Sequence, residues 1–385
     1  MNQSIDVVIP VHDIRRPAAR AVRSVLDQRS ALLARGVDLR ALLVWHNVGD
    51  DEIAQAQQEL PTSEALRHEV LRDGLHSAAG PRNWALDHST ATFLSFLDSD
   101  DHLEQGSLEA WWSCAEEHRA AAVIAPLRTP SGSILPAPRI RPSAPPALDA
   151  LKDGLAYRSV PYGLLRRSAL EFVGYRYAEG LRTGEDLSTT LKLWFRSGTV
   201  CYPYGAPAYH QTDDSGEGRV TAAVLPLSEE FRWLDALLDD PWLRDATAAE
   251  RRAIILKIIR VHGVGALRRR ATAGEGAAPA EAGRLWNDEE QHHWKALLTR
   301  MEAFSRGLPP ALSRRDAALV REAGEARDLP SLRAAADRHA RAGRAGELMT
   351  VRLSAMLSRD SVLTHYVLEK LRTRNGIFRA PEPRV

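Results

Sequence analysis

Cysteine is nearly absent: Cys114 and Cys201 are the only two in 385 residues. No disulfide framework can therefore hold the fold, and a reducing compartment is expected. Long hydrophobic runs are missing too, none approaching the roughly 20 residues that a membrane-spanning helix needs. The opening MNQSIDVVIP sets no basic stretch ahead of an apolar one, so the cytoplasm is the expected location. Charge of a single sign is also lacking, with 51 basic and 50 acidic side chains and a net charge of +1. Nucleic acid is accordingly not an expected partner. What is present is a 44% hydrophobic composition, ample for packed cores in two or three domains. The even total hides a split. Residues 1–224 carry 23 basic and 28 acidic side chains, and residues 225–385 carry 28 and 22.

The stretch Phe93 to Asp101, FLSFLDSDD, organises the rest. Phe93, Leu94, Phe96 and Leu97 form an apolar run bounded by turn-formers, which predicts a buried strand with Asp98, Asp100 and Asp101 at its C-terminal end. Three carboxylates there repel one another. Open α/β sheets bind ligands beyond the carboxyl ends of their strands, and clustered carboxylates in that place suit a hard divalent cation that itself holds substrate phosphates. A solvated acidic loop is the favoured reading of an isolated Asp-x-Asp, and the surrounding pattern reverses that preference.

Ahead of this stretch, Ile5 to Val11 is a short β-branched strand ending in His12-Asp13. A helix follows from Pro17 to about Leu33, with Ala18, Ala21, Val22, Val25 and Leu26 at helical spacing. Leu39 to Trp45 predicts a second strand, Glu52 to Leu60 a helix, and Glu69 to Leu71 a third strand. The loop Gly74 to Pro81 then precedes a helix expected from Arg82 to Asp87. Such alternation implies a parallel sheet with right-handed crossovers, its polar strand ends along one edge. Gly74, Gly80 and Pro81 suit a phosphate at the following helix start, with Arg82 adding charge, although an ordinary loop is the simpler reading. Downstream, a helix from Leu103 to about His118 and a strand from Ala121 to Ala125 lead into seven prolines between Pro126 and Pro146, which exclude a central strand. Gly184-Glu185-Asp186 opens a helix bearing Leu187, Leu191 and Trp194, where acidic residues also suit capping and the helix dipole. Val200 to Tyr204 is the last strand candidate, followed by Ala208-Tyr209-His210.

In order, IDVVIPVHD at 5–13, HNVGDD at 46–51, AGPRN at 79–83, DSDD at 98–101 and GED at 184–186 resemble the inverting glycosyltransferases of family two, which have the GT-A fold. The resemblance covers about residues 4 to 215. It implies an α/β, GT-A type nucleotide-binding domain with a mostly parallel central sheet over 1–224. By the same resemblance Asp100 ligates Mn2+ or Mg2+, with His210 as another ligand, and Asp98 lies near the ribose. Pro10, His12, Asp13 and Asn47 surround the nucleoside, Arg82 approaches the diphosphate or braces the strand, and Asp186 is the general base. The implied chemistry is coherent. A metal neutralises the departing diphosphate, a positioned carboxylate takes the acceptor hydroxyl's proton, and attack opposite the leaving group inverts the anomeric carbon. One departure concerns the base: where the family commonly has paired acids followed by Gly-Ser, this chain has His46-Asn47-Val48-Gly49. UDP is therefore the default nucleotide only because it is common in the family.

Residues 225–385 lie outside the resemblance and predict an all-α region. Helices are expected near 228–240, 248–270, 286–306, 311–326, 330–342 and 345–372, with a Gly-, Ala- and Pro-rich linker near 271–283. Leu256, Ile258, Ile259, Val261, Val264 and Leu267, flanked by arginines, suit a helix lying on an anionic membrane, a helix packed in its own domain, or a subunit interface. Positive charge here also favours an anionic acceptor polymer. The leading expectation is a metal-dependent, inverting transferase that moves sugar from a nucleotide-sugar donor to a cell-surface glycan or polymer. A nucleotidyltransferase of similar fold and a catalytically silent glycan-binding module are the alternatives.

Overall fold

The computed structural model describes residues 3–75, 77–142, 144–213, 224–273, 283–305 and 311–374. The chain divides into two compact units, Met1–Arg219 with Arg372–Val385, and Val220–Leu371. In the first unit the strands are β1 (Gln3–Val11), β2 (Val37–His46), β3 (Leu66–Leu71), β4 (Phe93–Phe96), β5 (His102–Leu103), β6 (Ala122–Ile124), β7 (Leu127–Arg128), β8 (Ala147–Leu148), β9 (Gly163–Arg166), β10 (Val200–Cys201) and β11 (Tyr209–His210). Its helices are α1 (Ala18–Leu26), α2 (Arg29–Ala34), α3 (Asp50–Gln57), α4 (Ala79–His88), α5 (Ser107–Glu117), α6 (Arg167–Val173) and α7 (Leu187–Arg196).

The main sheet runs β3-β2-β1-β4-β9-β6-β10-β8, and β5-β11-β7 form a small second sheet. Strands β3, β2, β1 and β4 are all parallel, as the strand–helix alternation predicts. The sheet is mostly parallel, but β9 enters antiparallel between β4 and β6. Gly163 permits that entry: its φ is +143°, and a Cβ there would come within 1.9 Å of the Val123 carbonyl oxygen. Both sheet faces are covered, so β1 reads as a continuous apolar run. Ile5, Val7, Ile9 and Val11 pack with Val22 and Val25 of α1 on one face, while Val8 packs with Phe96 and Val44 on the other. The proline-rich segment contributes β7 and β8 at sheet edges rather than a free loop.

The second unit is helical throughout its described residues, with its longer helices at Ala248–Lys257, Val264–Ala273, Asp288–Phe304, Arg314–Glu325 and Leu329–Arg341. A π-helical stretch, Ile258–Gly263, joins the first two. Leu256, Ile258, Ile259, Val264 and Leu267 are buried inside this unit, and only Val261 of the set stands out, at 46% exposed. Each buried aliphatic side chain is worth about 1.5–3 kcal/mol, so this apolar face belongs to the unit's own core. The centre of the expected linker, 274–282, lies outside the described residues.

Candidate active site

Strand β1 lies between β2 and β4, so the chain turns opposite ways from it, and the crevice at this switch point is where open α/β sheets bind ligands. Register sets the residues that meet there. Val8 pairs with Phe96 and Val11 with Trp45. The β1–β4 pairing ends at Val8 and Phe96, with the Leu97 N–H donating to Val8 O at 2.9 Å, and Asp98 follows directly beyond it.

Asp98 is held from three sides. Arg82 Nη2 donates to Oδ1 at 2.7 Å, the Tyr162 hydroxyl donates to Oδ2 at 2.5 Å, and the Asp98 backbone N–H donates to the Tyr209 hydroxyl at 3.0 Å. The Tyr162 and Tyr209 rings stack at 4.2 Å and 11°. Tyr209 donates in turn to Asp101 Oδ2 at 2.9 Å, and the Thr212 N–H donates to Asp101 Oδ1 at 2.8 Å. Burial, followed by the charge of Asp98, raises the Asp101 pKa to about 7 despite these donors. Asp100 meets different partners: Arg16 Nη1 donates to its Oδ2 at 3.0 Å, and Arg20 and Thr212 donate to its backbone carbonyl.

The second acidic motif is joined to the first by a single residue. Buried Arg82 donates through Nη1 to Glu185 Oε1 at 3.1 Å while its other end holds Asp98, and its guanidinium lies 5.3 Å from the centre of the Tyr177 ring. The next residue, Asn83, donates to the Tyr177 carbonyl at 3.0 Å and accepts from the Tyr177 N–H at 2.9 Å. Helix α4 thus ties the loop leading to Glu185-Asp186 against the end of β4. Of the two roles expected of Arg82, bracing is the one its contacts show. Asp186 occupies the cap position of α7, yet its side chain makes no capping hydrogen bond. The alternative explanation of that acid as a helix cap thereby loses its support.

Just beyond β1, Asp13 accepts three hydrogen bonds from the Arg15 guanidinium and one from its N–H, and the side-chain bonds are the main reason its pKa falls to about 2. His12 is exposed, yet local desolvation and then the Arg16 charge lower its pKa. Asn47 adopts φ +56° and staples the loop after β3, donating to Leu75 O at 2.9 Å and accepting from the Gly74 N–H at 3.1 Å. Asp73 bonds His46 Nε2 at 2.8 Å and Asn47 Nδ2 at 3.2 Å. Asp73, beyond the end of β3, thus brings a carboxylate to His46 and Asn47 at the end of β2. Helix α4 starts at Ala79, earlier than expected, which puts Gly80 in its first turn. A Cβ on Gly80 would lie 2.3 Å from Asp73 Oδ2, so the glycine serves that carboxylate's close approach.

His210 is turned to a neighbour other than Asp100. Its Nδ1 lies 3.0 Å from His102 Nε2 with the ring centres 4.4 Å apart, and Glu104 and Arg128 dominate its charged surroundings. Among the described residues no three His, Cys, Asp or Glu side chains are grouped to hold a metal. Asp100 remains as a single, 15% exposed mount at a strand end. That donor set suits a Mg2+ or Mn2+ that takes its other ligands from substrate phosphates and water.

Tyr162, Tyr209, Thr212, Arg16, Asp73 and Asn83 all belong to this cluster without having been expected there. Two of them carried a signal: Tyr162 and Tyr209 stand in short strand-like runs, and a buried tyrosine hydroxyl finds a partner.

The parallel half-sheet, its switch point and the braced acidic motifs define a GT-A type transferase domain. Residues 6–174, within this first unit, match the family described as Glycosyl transferase family 2. The poly(ribitol-phosphate) beta-N-acetylglucosaminyltransferase TarS of Staphylococcus aureus is 23% identical over 190 residues, 49% of this chain and 33% of that one. A poly(ribitol-phosphate) beta-glucosyltransferase of Bacillus spizizenii is 20% identical over 227 residues, 58% of this chain and 34% of that one. The succinoglycan biosynthesis protein ExoM of Rhizobium meliloti is 28% identical over 223 residues, covering 52% and 65%. This chain thus spans about a third of the length of the first two relatives. The crystal structure of S. aureus TarS 1-349 in complex with UDP-GlcNAc superimposes with a TM-score of 0.63 at 16% identity, over 88% of this chain and 92% of that one, which establishes a shared fold.

Proposed function

We propose that this protein is an inverting glycosyltransferase that moves a sugar from a nucleotide-diphosphate donor, by default a UDP-sugar, to a hydroxyl of a cell-surface polymer. The observation that carries the proposal is the Arg82 brace, which holds Asp98 and Glu185 on one guanidinium and so draws the donor-side and acceptor-side acids into one crevice. Asp186, uncommitted to capping, takes the proton of the acceptor hydroxyl. Asp98 is oriented by Arg82 and Tyr162 as the acceptor for a ribose hydroxyl. Pro10, His12, Asp13 and the Asn47–Asp73 staple line the nucleoside side. A Mn2+ or Mg2+ on Asp100 supplies the charge that stabilises the leaving diphosphate. The relatives' names, two of them transferases of poly(ribitol-phosphate), favour a phosphate-bearing polymer as acceptor, and the basic second unit suits such a polyanion.

The test is a panel of nucleotide sugars incubated with the protein and Mn2+, scored for release of nucleoside diphosphate. Turnover of at least one UDP-sugar, abolished by chelation, is the expected result. A panel without any consumption or binding would favour the silent binding module instead.

A further inference from the structure

The loop between β1 and α1 brings a guanidinium onto the metal mount. Arg16 Nη1 lies 3.0 Å from Asp100 Oδ2, and the two side chains are only 17% and 15% exposed. Such shielding makes this more than a rim contact between mobile chains. The Arg16 backbone is fixed, its N–H donating to Asp13 O at 3.2 Å and Pro17 following at the start of α1, so only the side chain is able to swing. Asp13 offers no ready alternative partner, because Arg15 already holds both its carboxylate oxygens.

Arg16 bonds Asp100 through Oδ2, and a divalent cation on the same carboxylate would lie close to the guanidinium, where like charges repel. An ion arriving at Asp100 therefore competes with Arg16 for the carboxylate. The anion that arrives with it is the donor's diphosphate, whose oxygens offer a planar guanidinium a bidentate site. We propose that Arg16 is an exchangeable counter-ion: it holds Asp100 until the metal and diphosphate arrive, then moves to the diphosphate. The inference rests on the proposed function, and it assigns Arg16 a donor-binding role that a static ion pair does not have.

Exchange makes metal and nucleotide help each other beyond the direct bond between them. Metal alone breaks the Arg16–Asp100 pair without compensation, whereas metal with diphosphate gives Arg16 a new partner. The experiment is titration of the full chain with Mn2+ alone, followed by paramagnetic resonance of the free ion, and then with Mn2+ at saturating UDP. In Arg16→Gln, Mn2+ alone is expected to bind at least about fivefold more tightly, and the gain that UDP confers on Mn2+ affinity should shrink by at least about fivefold, the lower end of usual coupling factors. Arg16→Lys, which keeps a charge without the planar fork, should fall between and serves if the glutamine variant misfolds. Unchanged Mn2+ affinity, or an unchanged gain from UDP, overturns the proposal. Asp100→Asn separates the two layers. If it abolishes Mn2+–UDP binding while Arg16→Gln changes nothing, only the counter-ion role fails. If it changes nothing, the metal mount and the counter-ion role fail together.

Discussion

Asp98 and Asp186 are both acids beside the Arg82 brace, and the roles proposed for them are tested separately. Asp98 has both carboxylate oxygens bonded, to Arg82 and Tyr162, which hold its rotamer. Asp186 heads a helix without capping it. Asp186→Asn is therefore expected to leave thermal stability within about 0.5 kcal/mol of the parent and to preserve UDP binding, while lowering transfer by about 10²–10⁴-fold, as loss of a general base does. Melting, titration and turnover on the same preparation check this together. Tyr162→Phe tests the other acid: deleting a hydrogen bond to a charged group costs about 1.5–3 kcal/mol. Denaturant unfolding should show that loss, and affinity for UDP should fall with it because Asp98 is freed to rotate.

Among elements, α4 does more than its place in the sheet requires. Its first turn receives Asp73 over Gly80, and its next residues reach Asp98, Glu185 and Tyr177. Arg82→Met should cost about 3 kcal/mol, the lower end for breaking a buried ion pair because Asp98 is partly exposed, and calorimetry or urea unfolding reads it directly. The parallel strands and their acidic ends were legible in the sequence because an apolar run and its flanking turn residues are local signals. The brace was not, since Arg82 and Glu185 are 103 residues apart and Tyr162 and Asp98 are 64 apart. No periodicity reports such pairings. The antiparallel β9 was missed for a related reason: Gly163-Leu164-Leu165-Arg166 reads as a short strand of either direction until Gly163 is seen against Val123. His210 was placed with the metal by motif order alone, and its cross-strand partner in the small sheet, His102, takes that ring instead. In the second unit, the Asp316 N–H donates to the Ser313 hydroxyl at 3.1 Å, and the Asp316 carboxylate bonds His339 Nε2 at 2.8 Å. Burial alone would raise its pKa, but His339 and Ser313 outweigh that and lower it. A depressed carboxylate stabilises the fold above its unfolded pKa and loses that contribution as pH falls through the folded value. Unfolding free energy should thus drop between about pH 5 and pH 2, and Asp316→Asn should flatten that drop.

For the whole molecule, the charge split between residues 1–224 and 225–385 and the phosphate polymers named for two relatives lead to one further expectation. Raising ionic strength from about 0.01 to about 0.15 M shortens the screening length from about 30 to about 8 Å. KM for a polyanionic acceptor should rise several-fold over that range, while KM for a neutral sugar acceptor stays nearly level; equal behaviour of the two would remove the polyanion from the account. The central claim, that the braced crevice performs glycosyl transfer from a nucleotide sugar, is tested most directly by offering UDP-sugars and Mn2+ to the full chain and to Asp186→Asn, and measuring both UDP release and UDP affinity. The account predicts release by the parent for at least one sugar, release at least about a hundredfold slower in the variant, and equal UDP affinity in the two. Equal release by parent and variant, or no metal-dependent UDP affinity in the parent, would contradict it.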